Sequence, residues 1–588
     1  MELLKSEIQS LVEDALSSLG VDASLVDRML QPAKEADQGD LSLPCFPFAK
    51  TLGMAPAAIA EQVKEAMKDH DAILEVNAVN GYLNIRANPT WLAGRLLKGD
   101  VRHAHGGSRR EVLIEHTSAN PNGPFHVGRA RNAILGDTLV RLHRLWGDNV
   151  TAEYYVDDMG KQVAVLAWAL EHMSTEEVEG LLAEREPVSP QWANKADHQR
   201  VRWYQAAQLL RKEGEKSETI EKTIGELVHA SEHGDEAVLA SFQNAYQPVL
   251  DGMLETLGRL GIVFDRFTKE SVFVTNGDVA RLMETLGGLE INGVADNGAQ
   301  FLDLGQRGLK GKTEFFYRRG DGSSLYATRD IAYHQWKWTQ CNELINVLGE
   351  DHKLQAQQVG LTLEELGGRR PEVMFYSFIK LPEGKMSTRR GNVVFMDDLL
   401  EEAHAHAVEV LKERRPDLDA DAMATIAEAV GTSAVRFNII SVSPEKGFTF
   451  RWEDALSFEA GSAPFIMYSH TRACSIHRKV MELNDGDSDA TGGLPPVPKG
   501  DMPNGLVQLL RMLAVHDDRL AKVVREHRPN LYAEYMLQLS TAYNSFYRDC
   551  YIINEGQVNP FYYAVSELAR TTLREGMVGL GIVPIETM

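Results

Sequence analysis

Two short stretches, far apart in the chain, combine residue types that handle phosphate. The first is Pro124-Phe125-His126-Val127-Gly128-Arg129, where an apolar strand gives way to a helix. A helix start offers free amide donors and partial positive charge, which suits an anion. A histidine there can donate to phosphate oxygens as charge builds in a transition state. Gly128 leaves room for an adenine ring or ribose against the helix. The second stretch is Lys385-Met386-Ser387-Thr388-Arg389-Arg390-Gly391-Asn392, after an apolar strand and the turn Pro382-Glu383-Gly384. Its cations and hydroxyls, flanked by glycine, predict a loop that folds over a triphosphate. Read singly, the first is also a capping histidine with a packing glycine, and the second a basic surface loop. Read together, they predict a two-sided clamp for ATP in an enzyme that activates carboxylates. Pro124, His126, Gly128, Arg129, Lys385 and Met386 are the expected ATP contacts. His126, Arg129, Lys385, Ser387 and Arg389 are the expected catalytic charge stabilisers.

Regular elements must hold these stretches. Glu111–Glu115 reads as a buried strand and a helix begins at about His126. Leu135, Leu139, Leu142 and Trp146 form one apolar stripe on that helix, and Gly147 ends it. Val150–Val156 is the next strand. Strand–helix–strand with a loop at the strand's carboxyl end is a Rossmann-type half, the usual site of nucleotide binding. Residues 161–260 are charge-rich and helical and read as an insertion. The second half resumes with the helix Thr328–Trp338 and the strands Leu344–Leu348 and Val373–Ile379, followed by the helix Met396–Arg414.

The ends of the chain differ from this middle. Residues 1–105 read as a small α+β domain, with a helix over Leu3–Leu19 and a hairpin turning at Asn80-Gly81. Residues 106–400 are the Rossmann-like catalytic domain, 401–456 a connecting helical region, and 457–588 an all-α domain. The stretch Asn484–Asn504, rich in Gly, Asp and Pro, is expected to be a mobile loop.

The chain has 588 residues, 44% hydrophobic and 25% charged, an ordinary globular balance for roughly two to four domains. The start lacks a basic segment followed by an apolar run, so no signal peptide is expected, nor any membrane span. A cytoplasmic protein follows. Cys45, Cys341, Cys474 and Cys550 are scattered without a C-x-x-C pair, so no metal site or disulfide framework is predicted. The net charge of −23 argues against indiscriminate nucleic-acid binding but allows a local basic face.

At this point the chain resembles the class I aminoacyl-tRNA synthetases, whose two signatures are written H-I-G-H and K-M-S-K. More narrowly it is similar to the arginyl enzymes. The segments carrying that likeness are Glu115–Pro121, Tyr154–Gln162, Tyr326–Asp330, Pro464–Arg472 and the end from Val578 to Met588. Three positions depart from the pattern. Arg129 stands where histidine is usual, Thr388 where lysine is usual, and Glu350 where some members carry glutamine near the α-amino group. The resemblance implies activation of L-arginine by ATP with Mg²⁺, then transfer to the 2′-hydroxyl of the terminal adenosine of the tRNA. Activation is expected to require bound tRNA, and a monomer is expected.

Arginine suits the residues themselves. Tyr326 and Asp330 stand at i, i+4 on one helix face, so a ring can cover a guanidinium while a carboxylate accepts its N–H groups. Glu115 supplies a second carboxylate at a strand end. By similarity Asn120 and Glu350 hold the amino-acid end of the substrate. The resemblance also implies tRNA contacts by the N-terminal domain and by Tyr468, Arg472, Phe546, Tyr547 and Met588, with Arg478 and Lys479 near phosphate. Each aromatic there is equally readable as bundle core. Two alternatives stay open: a small-molecule adenylate-forming ligase, and a non-catalytic tRNA-binding paralogue.

Overall fold

The computed structural model describes residues 1–21, 25–33, 38–67, 69–99, 109–185, 187–213, 217–380, 394–457, 461–484 and 493–588. The predicted basic loop, with Lys385, Met386, Ser387, Thr388 and Arg389, lies outside the described residues.

At the centre stands a five-stranded parallel sheet. Its spatial order is Glu372–Tyr376, Glu343–Gly349, Glu111–Glu115, Asn149–Val156, Arg266–Lys269. The central strand is apolar on both faces, as a parallel strand buried on two sides must be. Val112, Leu113 and Ile114 are all buried. Alternation sends Val112 and Ile114 into the main core with Leu135 and Leu139 of the helix Val127–Trp146, and Leu113 to the opposite side with Leu344 and Trp338. Gly147 ends that helix at φ 102°, a conformation that suits glycine. From Glu111–Glu115 the chain runs outward to the Arg266–Lys269 edge, then returns to the other flank at Glu343–Gly349. The direction reverses between Glu111–Glu115 and Glu343–Gly349, which is where open α/β sheets bind ligands.

The helices Lys161–His172, Thr175–Leu181, Ala196–Glu213, Ser217–Glu232 and Glu236–Arg259 occupy the segment read as an insertion. Between that segment and Tyr326 the structure adds elements that the sequence reading passed over. These are the edge strand Arg266–Lys269, the helix Asp278–Gly287, and an antiparallel sheet of Asn292–Val294, Gln300–Asp303 and Glu314–Arg318. Strands of three to five residues are too short to display an alternation. Phe273, Leu282, Leu286, Leu302, Phe315 and Tyr317 give this module its own core, shared with Tyr155 and Tyr333.

At the amino end, Glu2–Ser18 and Pro56–Ala66 cover an antiparallel sheet whose hairpin turns at Asn80 (φ 49°) and Gly81 (φ 81°). Two consecutive positive φ values are what a type I′ turn requires. At the carboxyl end, the helices Ala463–Leu483, Asn504–Ala514, His516–Glu526, Pro529–Asp549 and Pro560–Leu580 share one continuous apolar core with the catalytic sheet. Of the stretch expected to be mobile, 485–492 lie outside the described residues, and Val497 packs against the core. Among the described residues, no helix is long and apolar enough to cross a membrane.

A buried guanidinium locks the parts together. Arg436 pairs with Asp137 at 2.6 Å and donates to the carbonyls of Leu260 and Leu580. Four elements thus meet on one side chain. Gly581 closes the contact, because a Cβ there would lie 2.2 Å from the guanidinium.

Candidate active site

A cavity of about 630 Å³ opens at the sheet's switch point. Its walls come from four strands of the sheet, Glu111–Glu115, Asn149–Val156, Glu343–Gly349 and Glu372–Tyr376, and from the helices starting at Val127, Tyr326 and Lys353. Where Glu111–Glu115 ends, Thr117 (φ 68°) and Ser118 (φ 39°) are both left-handed. Such positions cost on the order of 1 kcal/mol or more each and persist only when neighbours hold them. Here the Thr117 N–H donates to Asn132 Oδ1 (2.7 Å), the Ser118 N–H to the His116 carbonyl (2.9 Å), and the Tyr155 N–H to Ser118 Oγ (3.1 Å). His116 is buried beneath the turn against Gly136, where a Cβ would come within 2.2 Å of the histidine Cβ. Absence of a side chain at Gly136 is what lets the helix approach the turn.

His126 is the N-cap residue of Val127–Trp146 and lines the cavity with Gly128 and Arg129. Burial, with Arg129 adding to it, pushes the His126 imidazole down to about 4, so the ring is neutral at neutral pH. Gly128 serves a purpose other than the expected ligand contact alone: a Cβ there would lie 3.0 Å from His126 Nδ1, so its absence seats the imidazole. Arg129 forms no ion pair with a described carboxylate and faces the cavity. The backbone beyond the basic segment docks here. Val127 N–H donates to Val394 (3.0 Å), Met396 N–H donates to Phe125 (2.7 Å), and His126 and Phe395 form an antiparallel bridge. Pro124 corrects an expectation. It is buried beneath the loop and is not part of the cavity wall, so it supports the turn rather than touching a ligand.

Acidic and aromatic groups gather at the other end. Tyr326 is 45% exposed, its ring open toward the cavity. Although the ring is open, protein packed around the cavity desolvates the phenol and, with the Asp330 and Glu270 carboxylates adding to the effect, raises it well above the ordinary value, so it stays protonated. Burial works against the Asp330 charge, but His334, Lys337 and Gln355 outweigh it and hold the carboxyl below the ordinary range. His334 Nδ1 lies 3.1 Å from Asp330 Oδ1, and Gln355 Nε2 donates to Oδ2 at 3.4 Å. Glu115 lines the cavity but is already engaged. The fully buried Lys337 donates to its Oε2 (2.6 Å) and Ser118 Oγ to its Oε1 (3.1 Å). Asn120 lines the cavity with its amide donating to Gln162 Oε1 at 3.2 Å.

Glu350 is a second correction. It sits in the 3₁₀ turn Glu350–His352, and its carboxylate accepts from Ser377 Oγ (2.9 Å), drawn toward the neighbouring strand. The next residue, Asp351, lines the cavity in its place. Asp157 and Gln355 are cavity-lining groups that sequence reasoning did not select. The position of Asp157, just past the strand Asn149–Val156, was the available signal; for Gln355, a polar residue on a helix, there was none.

On the carboxyl-terminal helices, Arg472 lies between two exposed rings, 4.8 Å from the Tyr468 centroid and 4.7 Å from that of Tyr547. Phe546 is a third correction: it is fully buried among helices, beside Tyr543 and Tyr562, and has no face for a base. The carbonyl of Met588 accepts from Arg415 (2.7 Å), while the Met588 side chain is half-buried at the core's edge. Arg478 donates to the Glu586 carbonyl.

Residues 93–452 match the model of the class I tRNA synthetase (R) catalytic domain. Residues 466–588 match the DALR anticodon binding domain, and 6–87 the arginyl tRNA synthetase N-terminal domain. The arginine–tRNA ligase of Methanocella arvoryzae is 39% identical, covering 100% of this chain and 99% of its own. That of Methanococcoides burtonii is 37% identical, with 99% of each covered. Among solved structures, Thermus thermophilus arginyl-tRNA synthetase superposes with a TM-score of 0.77 at 25% identity, over 99% of this chain and all of that one. The Plasmodium falciparum enzyme, at 16% identity and a TM-score of 0.74 over 99% of each chain, shares the fold. With a matching catalytic model over more than half its length and full-length relatives this similar, the chain belongs to the arginyl-tRNA synthetase family, the arginine–tRNA ligases of class I.

Proposed function

We propose that the switch-point cavity is where this arginine–tRNA ligase activates its amino acid. The observation that carries this reading is Asp330, a carboxylate held ionised inside the cavity one helical turn from the open ring of Tyr326. The guanidinium lies against Tyr326, and Asp330 accepts its N–H groups, with Asp157 alongside. Glu115, oriented by Lys337, contributes its remaining lone pairs. Asn120, oriented by Gln162, and Asp351 take the α-amino and carboxylate end, in place of Glu350.

The arginine carboxylate attacks the α-phosphate of ATP in line, the bond to the β-phosphate oxygen breaks, and pyrophosphate leaves. Positioning and charge stabilisation supply the catalysis. His126, neutral beforehand, donates from one ring nitrogen to a phosphate oxygen, and Arg129, which pairs with no described carboxylate, adds positive charge. Lys385, Ser387 and Arg389 add further charge and hydroxyl donors to the phosphates, and Met386 and Gly128 contact the nucleotide. Two three-ligand clusters exist among the described residues, Asp197–His198–Asp397 and Glu343–Glu372–His527, and neither lies within the cavity wall. Mg²⁺ is assigned to the substrate's phosphates, its usual habit. It would neutralise charge on the leaving pyrophosphate.

Transfer to the terminal adenosine follows. Tyr468, Arg472, Tyr547 and Met588 form the tRNA-facing patch of the carboxyl-terminal helices, the amino-terminal domain adds a second contact, and activation depends on bound tRNA. The enzyme works as a cytoplasmic monomer. Pyrophosphate exchange with arginine, ATP and tRNA tests the reading: exchange requiring all three supports it, and its absence would overturn it. His126→Ala should lower kcat by roughly 10²–10³ with little change in the arginine KM; equal loss in both would remove the role from His126.

A further inference from the structure

A buried polar knot lies outside the cavity, where the helical insertion meets the helix Met396–Arg414. Asp397, 1% exposed, is its hub. Its Oδ2 accepts from Lys195 Nζ (2.8 Å) and is bonded to His198 Nε2 (2.8 Å). Its Oδ1 accepts from Thr256 Oγ1 (2.8 Å), which in turn accepts from Lys195 (2.6 Å). Lys195 also reaches Asp197 at 3.0 Å. The carboxylates and the imidazole have the spacing of a metal site, but the ammonium of Lys195 already supplies the cation. Together His198, Lys195 and Thr256 outweigh the cost of burial and keep Asp397 charged.

The position of the knot gives it a task. Asp397 follows Val394, Phe395 and Met396, the residues whose backbones pair with Val127, His126 and Phe125 respectively. The His198 ring meets Phe395 edge to face at 5.3 Å and stacks on Trp192, whose indole N–H donates to Asp398 at 3.0 Å. The insertion thus holds Phe395, Asp397 and Asp398, the residues at and just after the bridge to His126. A buried charge with this many donors resists displacement, because each lost partner leaves an unpaired polar group.

We infer that Asp397, held by Lys195, His198 and Thr256, is a positioning residue for the ATP site: it fixes the Val394–Met396 segment and through its backbone pairing the placement of His126. The inference rests on the reading that His126 serves the ATP phosphates. It gives the insertion a part in nucleotide binding although its helices stand behind the cavity wall.

The test is pyrophosphate exchange by the full chain, with ATP and arginine varied separately and rates expressed per active site titrated. Asp397→Asn should raise the ATP KM about fivefold or more and lower kcat, with the arginine KM within about twofold. Thr256→Val should move the ATP KM in the same direction, and Thr256→Ser, which keeps the hydroxyl, should restore it. A lower melting temperature with both KM values and the per-site kcat unchanged would overturn the inference, as would a parallel rise in the arginine KM. Should Asp397→Asn fail to fold, the Thr256 pair decides. If His126→Ala impairs ATP use while the Asp397 and Thr256 variants do not, this inference alone fails. If the wild type shows no arginine-dependent exchange, the active-site reading fails instead.

Discussion

Asp330 shows how one side chain converts its surroundings into selectivity. A buried carboxyl without donors would take up a proton and lose its attraction for a cation. His334, Lys337 and Gln355 prevent that. Charged hydrogen bonds of this kind contribute on the order of 1.5–3 kcal/mol. Asp330→Asn should therefore raise the arginine KM by roughly 10- to 150-fold and leave the ATP KM near its original value. Steady-state kinetics with each substrate varied checks this, and a parallel loss of both would mean that the site had collapsed. Lys337 shows the opposite arrangement. Its ammonium is spent on Glu115, Asn346 and the face of Tyr333, so it braces the wall.

The helix Val127–Trp146 is the element on which the site depends, and two buried interactions hold it. One is the Asp137–Arg436 pair, in which both side chains are nearly inaccessible. Asp137→Ala would leave an unpaired guanidinium in the core, a change that costs roughly 3–5 kcal/mol. Denaturant melts should show that loss, whereas a shift below about 1 kcal/mol would mean that water reaches Arg436. The other is His116 packed on Gly136. Burial pushes the His116 imidazole from 6.5 down to about 4. Between those values the unfolded chain binds the proton and the folded chain does not. Stability is therefore fully present above about pH 6.5 and falls as the pH drops toward 4, by ~3 kcal/mol at the limit. His116→Asn should flatten this part of the stability–pH curve in urea melts at pH 7.5 and pH 5. An unchanged slope would assign the acid loss to other groups.

Across the whole molecule, the carboxyl-terminal helices and the catalytic sheet share one core, so the exposed patch of Tyr468, Arg472 and Tyr547, proposed above to meet tRNA, is packed onto the same core as the cavity. Adjacent residues there behave differently. Tyr547 is 40% exposed and supports Arg472, whereas Phe546 is fully buried. Tyr547→Ala should weaken tRNA use by about 1–3 kcal/mol, seen as a higher tRNA KM at unchanged melting temperature. Phe546→Ala should instead destabilise the fold by roughly 3–5 kcal/mol. If the two variants traded phenotypes, the exposed patch would not be the RNA surface. The net charge of −23 adds a general repulsion, so contact must depend on local cations such as Arg472.

Much of this was legible in the chain alone. The strand Glu111–Glu115, the stripe ending at Gly147, the helix Met396–Arg414 and the family likeness all rest on local periodicity or on residues close in sequence. Such patterns report an element's own needs. They do not report what lies across from it. Only the tertiary structure decided that Lys337 engages Glu115, that Ser377 draws Glu350 aside, that Pro124 and Phe546 are buried, and that Asp157 faces the cavity. The same holds for the knot, where Lys195, Thr256 and Asp397 come from three distant segments. A buried charge is tolerable only with its partners, and those partners leave no periodic trace in sequence. The residue types determined the chemistry on offer; the packing decided which side chains are free to perform it.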